Sequence, residues 1–537
     1  MTLPPVTTTA DGSSTIDDPR RRRSILLAVS LALMAVVASV SGLNVAQPHL
    51  ALEFSASQSE VLWMINTYTI TLAALLLPLG AVGDRWGRRP VLVIGLLVFG
   101  VANVAAGLAP TIGVMVGARL ASGVGAALVM PVTLSVITST FPDGERSKAI
   151  GAWTAVAGGG GILGMYLSAL LVDVADWRFL FVLPILLVVA AGVVALRSVP
   201  NSREHRSHRY DVVGALTSVV AAVGFTVALH EGPERGWSAP VPGISLVLAL
   251  AGAVGFVLWE LRTPAPLLDV RRFRTRGLSS GSALLLVMFG VQAGVSLVLY
   301  PFFQVVLGWT GLLSTLAMMP MALLMMLTSG LAPLVAARVG ARATMAAGVL
   351  IAGAGLATMA SLVSVEGGYL TVLPGLVAMG LGMGLAMTPS TEAITSSLPR
   401  EQQGVASALN DLTRELGAAL GIALLGALLT AGYRTAVEPQ LVGVPAAVAD
   451  DARDGIANAV AASADAGPLA AQVVRAAQES FVTGWQQSMW IGAAVMAAMS
   501  VFVLLRGPQR GPTLSAPTPE PSLETDADRP SHPLAAE

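Results

Sequence analysis

The sequence predicts an all-α polytopic membrane protein that crosses the bilayer fourteen times. Hydrophobic residues make up 54% of the 537 residues and charged residues only 12%, against about 25% charged in an ordinary soluble domain. The apolar residues gather in fourteen runs, each near the ~20 residues a helix needs to span the hydrocarbon. Basic residues fall almost wholly on one side of the resulting arrangement. Mean hydropathy is +0.73.

The runs lie at 25–47, 59–82, 91–109, 113–138, 149–171, 179–197, 212–230 and 243–261, then at 279–304, 312–337, 343–363, 370–392, 404–432 and 484–506. The first exceeds a signal-peptide core and is followed by no A-x-A site, so it is expected to remain as a span. With Arg20 to Arg23 placed inside, 24 of the 31 basic residues share that side and 5 occupy the other, while Arg119 and Arg414 fall within spans. Excess arginine marks the cytoplasmic side, so both termini are expected there. Lys148 is the only lysine, and with the heavy use of Ala and Gly this suggests a GC-rich bacterial genome and an inner-membrane location. Segments 1–24 and 507–537 are polar and are expected to be disordered tails. The segment 433–483 is the one long external loop. Its A-V-A-D-D-A-R-D and A-A-Q-V-V-R-A-A-Q-E stretches read as short amphipathic helices on the outer face, forming either a connector or a lid.

Several functions are excluded or disfavoured. A net charge of −1 gives no footprint for nucleic acid. There is no cysteine, and the histidines, His49, His205, His208, His230 and His532, lie outside the interior of the apolar runs, so no metal site is expected. There is no P-loop, which argues against ATP drive, and there is no cysteine and no histidine in the interior of an apolar run to serve a membrane-embedded enzyme. No cofactor is expected.

Charge inside a span is costly and calls for a reason. Span thirteen carries Asn410-Asp411-Leu-Thr-Arg414-Glu415. Asp411 and Glu415 are four residues apart and share a helix face, ~10 Å and ~16 Å beyond Gly404. An acid removed from water favours its neutral form, so these two are candidate proton carriers; the alternative is an ion pair with Arg414 that locks helix packing. Glu392 in span twelve is a further candidate. Arg119 in span four keeps its proton, and reads as a fixed counter-charge whose partners change with transport state. Polar and aromatic residues within the apolar helices mark a candidate substrate lining: Asn44, Trp63, Asn66, Trp153, Tyr166, Gln292, Tyr300, Gln304 and Met325, the last within a Met-rich stretch of adaptable shape. For any one of the polar and aromatic residues, packing or interfacial anchoring is the more ordinary explanation, and gap-filling explains the methionines equally well.

Between spans two and three stands Gly80-Ala-Val-Gly83-Asp84-Arg85-Trp-Gly87-Arg88-Arg89-Pro90. Small residues let backbones meet, Asp84 suits a neighbouring helix N-terminus, and the arginines can pair with acids across a gate. This segment resembles the G-x-L-A-D-R-x-G-R-R/K loop of the major facilitator superfamily. Arg119-Leu-Ala-Ser-Gly123-Val-Gly125 resembles that family's R-x-x-Q-G-x-G. Tyr210-Asp211-Val-Val-Gly214 and Pro266-Leu-Leu-Asp269, with fourteen spans, resemble its 14-helix drug:proton antiporter branch. The resemblance implies two six-helix bundles, at 25–197 and 279–506, with two extra helices at 212–261 between them. It also implies alternating access around a midplane site. The implied function is export of small amphipathic compounds in exchange for protons by a protein that lies in the lipid bilayer and is expected to be a monomer. A dedicated exporter of one metabolite or lipid, and a non-transporting sensor, are the alternatives. Val82 and Gly83 depart mildly from the loop pattern and Ser122 replaces the usual Gln of span four; three further departures bear on function. Ser39 stands where span one has an acid, Asn66 where quaternary-ammonium exporters have Asp, and Met165 where span five has Pro. The lost acids imply neutral or singly charged substrates.

Overall fold

The computed structural model describes residues 16–174, 176–201 and 210–508. The expectations for the tails at 1–15 and 509–537, and for Arg203, Arg206, Arg209, Arg510 and Arg529, lie outside the described residues. Every regular element among the described residues is helical, and fourteen helices are long and apolar enough to cross a membrane. They are α1 (Pro19–Val45), α2 (Gln58–Trp86), α3 (Arg88–Gly107), α4 (Ile112–Thr140), α5 (Asp143–Val174), α6 (Val182–Ser198), α7 (Val212–Arg235) and α8 (Pro240–Glu260). There follow α9 (Arg276–Pro301), α10 (Met319–Val339), α11 (Ala341–Leu362), α12 (Tyr369–Ser396), α13 (Gln403–Val437) and α14 (Ala470–Arg506).

Local chemistry sets the helix ends. Asp18 caps α1 by accepting from Arg20 N, with Pro19 at the first helical position. Ser57 and Glu60 form a capping box on α2, and Asp211 accepts from Gly214 N at the start of α7. The α2–α3 and α10–α11 turns each consist of one glycine, Gly87 at φ 105° and Gly340 at φ 92°. Only glycine takes that conformation without strain, and the two turns occupy equivalent places in the two halves of the chain.

In the first half, α1 packs on α5 and α6, α4 on α2 and α3, and α3 on α6; in the second, α13 packs on α9 and α14, α12 on α10 and α11, and α11 on α14. Each half has its own large apolar core, giving two six-helix bundles. They meet through α2 and α4 against α13 and through α5 against α10 and α12, with the short helix Gly311–Ala317 also touching α5. The extra pair, α7 and α8, pack on each other, and α7 rests on α2 and α13 at the bundle seam.

Small residues set the closest crossings. Gly421 of α13 lies against the backbone of Gly290 of α9, leaving no space for a Cβ. Gly421→Ala is expected to destabilise the protein by about 3 kcal/mol, the upper range for overpacking, because the opposing atoms are backbone. A lowered melting temperature in purified protein checks this.

Three expectations need correcting. The A-A-Q-V-V-R-A-A-Q-E stretch is the first turns of α14 rather than a separate surface helix. Its Ala-rich sequence continues the helix past Gln472 and Arg475, where hydropathy ends. Likewise α13 runs to Val437. The rest of the external segment forms helices Ala446–Asp454 and Ile456–Ala462, bound to their own bundle. Tyr433 Oη donates to Ala452 O at 2.7 Å and Arg453 pairs with Glu438 at 2.7 Å. Finally, His230 lies within α7 beside buried Glu231.

Candidate transport site

At the face bearing most of the arginines, hereafter the basic face, the bundles touch backbone to backbone. A Cβ on Gly80 of α2 would lie 2.6 Å from both Ala408 Cβ and Gly404 O of α13. One turn on, the Asp84 carboxylate, 2% exposed, accepts from Gly404 N at 2.8 Å through both oxygens and from Val405 N at 3.3 Å. These N–H groups belong to the first turn of α13, where no intrahelical partner exists and negative charge is favoured. Arg88 pairs with Asp84 at 3.3 Å and donates to Arg400 O at 3.5 Å. Gly83 packs on Val132 of α4. Arg89 donates to Leu196 O within its own bundle, and Arg85 is exposed. The expected pairing of arginines with acids across the gate is therefore corrected for Arg88 and Arg89: the acid, Asp84, crosses to backbone N–H groups, Arg88 crosses only to a carbonyl oxygen, and Arg89 stays within its bundle.

The second pair of helices seals the same half. A Cβ on Gly151 of α5 would meet Ser329 O of α10 at 2.8 Å, and one on Gly158 would meet Met325 Cε at 2.8 Å. Met325 is thus wedged between bundles, filling space that glycine leaves. Ser147 Oγ of α5 donates to the Glu392 carboxylate of α12, which places Glu392 in this seal.

Deeper in α13 lie the charged residues. Asp411 is fully buried. Its Oδ1 accepts from Asn410 Nδ2 at 3.1 Å and stands 3.5 Å from Arg414 Nη1, while Oδ2 has no hydrogen-bond partner. The Arg414 guanidinium sits over the rings of Phe289, at 4.4 Å, and Trp153, at 5.5 Å, an attraction of cation and ring quadrupole. Trp153 Nε1 donates to Thr133 Oγ1 of α4 at 3.0 Å. Glu415, half-buried, interacts electrostatically with Arg414, Asp411 and Tyr68.

Tyr68 leads to the N-terminal bundle. Arg119 stacks on its ring at 4.4 Å and donates to Ser39 Oγ at 3.1 Å. Ser39 Oγ in turn donates to Asn103 Oδ1 at 3.2 Å. Arg119 is fully buried, and Nε and Nη2 have no hydrogen-bond partner. Among the described residues no carboxylate forms an ion pair with it. Ser39 occupies the place an acid would need.

The expected lining residues do not converge. Trp63, 39% exposed, and Asn66 line a small crevice against Val227, His230 and Glu231 of α7. Tyr300 Oη meets Thr315 Oγ1 at 3.0 Å, and Gln304 is exposed on the π-helical turn after α9. Gln292 has a buried, unpartnered Oε1. Tyr166 is half-buried on α5. Asn44 is in the last turn of α1, and its side chain lies outside the described residues. Tyr68, Asn103 and Phe289, absent from the expected set, make the contacts around the two buried arginines.

Residues 29–422 match the family model described as "Major Facilitator Superfamily". The chain belongs to the major facilitator superfamily. It is similar to the multidrug efflux pump LfrA of Mycolicibacterium smegmatis, 31% identical over 91% of this chain and 97% of that one. The puromycin resistance protein pur8 of Streptomyces alboniger is 33% identical over 83% of this chain and 88% of that one. The proton:xylose symporter XylE, 14% identical, superposes with TM-score 0.56 over 91% of this chain and 96% of that one, a likeness of fold. As a major facilitator transporter, the protein is a multi-pass inner-membrane protein. The contacts of α2 with α13 and of α5 with α10 are then those between the two halves of the transporter.

Proposed function

We propose that this transporter exports amphipathic drugs from the cell in exchange for protons, with the basic face in the cytoplasm. The arginine asymmetry supports that orientation. Contacts at Asp84–Gly404, Gly158–Met325 and Ser147–Glu392 close the basic half, so this arrangement is the one with cytoplasmic access shut. The observation that carries the proton assignment is the Asp411–Arg414–Glu415 group on α13, buried where α13 faces α2, α5 and α9. With Ser39 opposite Arg119, the N-terminal bundle supplies no carboxylate there among the described residues, and the exchangeable proton falls to α13. In the cytoplasm-open state a bound cationic substrate displaces the proton from Glu415 or Asp411. After reorientation the substrate leaves outward and a proton from outside returns to the carboxylate. Arg414 compensates whichever acid is ionised, and the faces of Trp153 and Phe289 hold it in reach.

Everted vesicles containing the protein test the reading. Ethidium accumulation is expected when the lumen is acidic and to collapse on adding a protonophore. Accumulation unaffected by the protonophore would refute antiport.

Substrate charge follows from the same geometry. Arg414 offsets one of the two α13 acids, leaving about one negative charge for a ligand, and a buried unpaired cation costs several kcal/mol. Monocations are therefore expected to be exported at least tenfold more efficiently than bis-quaternary dications, since 1.4 kcal/mol is already tenfold. Ser39→Asp, which adds a carboxylate beside Arg119, is expected to leave this preference in place, because Arg119 takes up the new charge. Asn66, turned toward α7, is not the position to restore. Efficient dication export by the unmodified protein would contradict this reading.

A further inference from the structure

Between the α7–α8 pair and the C-terminal bundle runs a crevice of about 820 Å³. Its walls are Phe225 of α7, Val257 of α8, Leu286 of α9 and Leu412 of α13, and its basic-face mouth is formed by Arg271 and Arg274. Along α8 it extends from Leu246 to Leu261, ~22 Å at 1.5 Å per residue. That takes it from the basic face past the middle of a hydrocarbon layer ~30 Å thick. The shape is that of one leaflet's acyl chain, and the crevice opens sideways to the bilayer because α8 packs mainly on α7.

The mouth is charged and its arginines are available. The 3-10 turn Val270–Arg274 presents them, with Asp269 capping that turn by accepting from Arg271 N at 3.1 Å. Asp269 is also 3.9 Å from Arg272. Arg271 spends one Nη2 hydrogen on Leu261 O at 2.6 Å. Neither Arg271 nor Arg274 forms an ion pair with a carboxylate among the described residues, and both are exposed. Two unneutralised guanidiniums over an apolar slot are complementary to a phosphate diester carrying acyl chains: arginine binds phosphate through paired N–H groups, and basic pockets between spans select anionic headgroups.

We propose that this crevice is a specific site for one anionic phospholipid, its phosphate on Arg271 and Arg274 and an acyl chain along Phe225, Val257 and Leu286. The chain rests against Leu412, one residue from Asp411, so the lipid sits behind the helix that carries the acids. A zwitterionic lipid fits the slot equally well but brings no net charge to the mouth.

Native mass spectrometry of the full-length protein in nonionic detergent tests this without reference to orientation, transported compound or proton coupling. The probes are phosphatidylglycerol and phosphatidylcholine of the same acyl composition. The first phosphatidylglycerol is expected to bind at least tenfold more tightly than phosphatidylcholine. The double variant R271Q/R274Q is expected to lose that preference, whereas R276Q, whose arginine is exposed but does not line the crevice, keeps it. A253W, which fills the slot from α8, is expected to weaken binding of both lipids. Unchanged melting temperatures show that the variants are folded. Equal binding of the two lipids by the unaltered protein would overturn the site, as would a preference that survives R271Q/R274Q. Competition by glycerol phosphate as effective as that by phosphatidylglycerol would show that the headgroup alone binds and would also overturn it.

Discussion

Asp411→Asn is expected to abolish drug accumulation driven by a pH gradient while leaving folded protein in the membrane. Asparagine keeps the side-chain size and can still accept from Asn410 Nδ2, as Asp411 does at 3.1 Å. It cannot take up or release the proton. Arg414 stays held by the rings of Phe289 and Trp153 and by the charge of Glu415, so the helix is not left with an uncompensated cation. The expected loss is large. A driving force of 100 mV supplies about 2.3 kcal/mol per charge, roughly fiftyfold in concentration at 1.4 kcal/mol per decade. The accumulation ratio in everted vesicles should fall from that order toward one, while counterflow of labelled substrate without a gradient persists. Glu415→Gln separates the two acids: loss in both variants makes the pair the carrier, and loss in one assigns it. Wild-type accumulation in both would remove α13 from the coupling scheme.

Asp84→Asn is expected to slow turnover far more than it changes substrate affinity. Its carboxylate holds Gly404 N and Val405 N across the bundle seam and compensates Arg88, also 2% exposed. Removing the charge weakens bonds worth roughly 1.5–3 kcal/mol to a charged acceptor and leaves a buried cation unpaired. Both costs fall on the arrangement closed at the basic face, so a shift of about 3 kcal/mol changes the balance of states by roughly a hundredfold. The chain has no cysteine, so a single introduced thiol reports that balance. Ser407→Cys, at a fully buried position on α13, is expected to react faster with a membrane-impermeant reagent from the basic face once Asp84 is replaced. The expected kinetic result is a kcat lowered at least tenfold with KM changed less than threefold. Weakened binding with unaltered turnover would place Asp84 at the substrate instead.

Much of the fold was legible because a bilayer imposes its length on every crossing. The fourteen apolar runs correspond to fourteen helices, and the Asp84 loop carried both its glycines and its acid in readable order. The errors have physical causes. The outer ends of α13 and α14 are helical but polar, so hydropathy stopped at residue 432 and began again only at 484. Residues such as Trp63 and Asn66 were placed on a helix correctly, but not on a face. A span such as α2 meets α4, α7 and α13 on different sides, and a single apolar run does not mark which side looks at which neighbour. Tyr68 and Phe289 went unmarked because an aromatic in an apolar run is ordinary until Arg119 and Arg414 are found on their rings. Ser39 was recognised as a departure, and its consequence, a buried Arg119 with hydroxyl and aromatic contacts in place of an ion pair, required the three-dimensional arrangement.

The most direct test of proton exchange at α13 is a measurement of protons released when substrate binds to the purified protein. In weakly buffered detergent solution, with a pH indicator present, saturating tetraphenylphosphonium is expected to release about one proton per binding event from the unaltered protein. The D411N/E415Q variant is expected to release none while still unfolding at a comparable temperature. Equal release from both proteins would contradict the assignment of the exchangeable proton to Asp411 and Glu415.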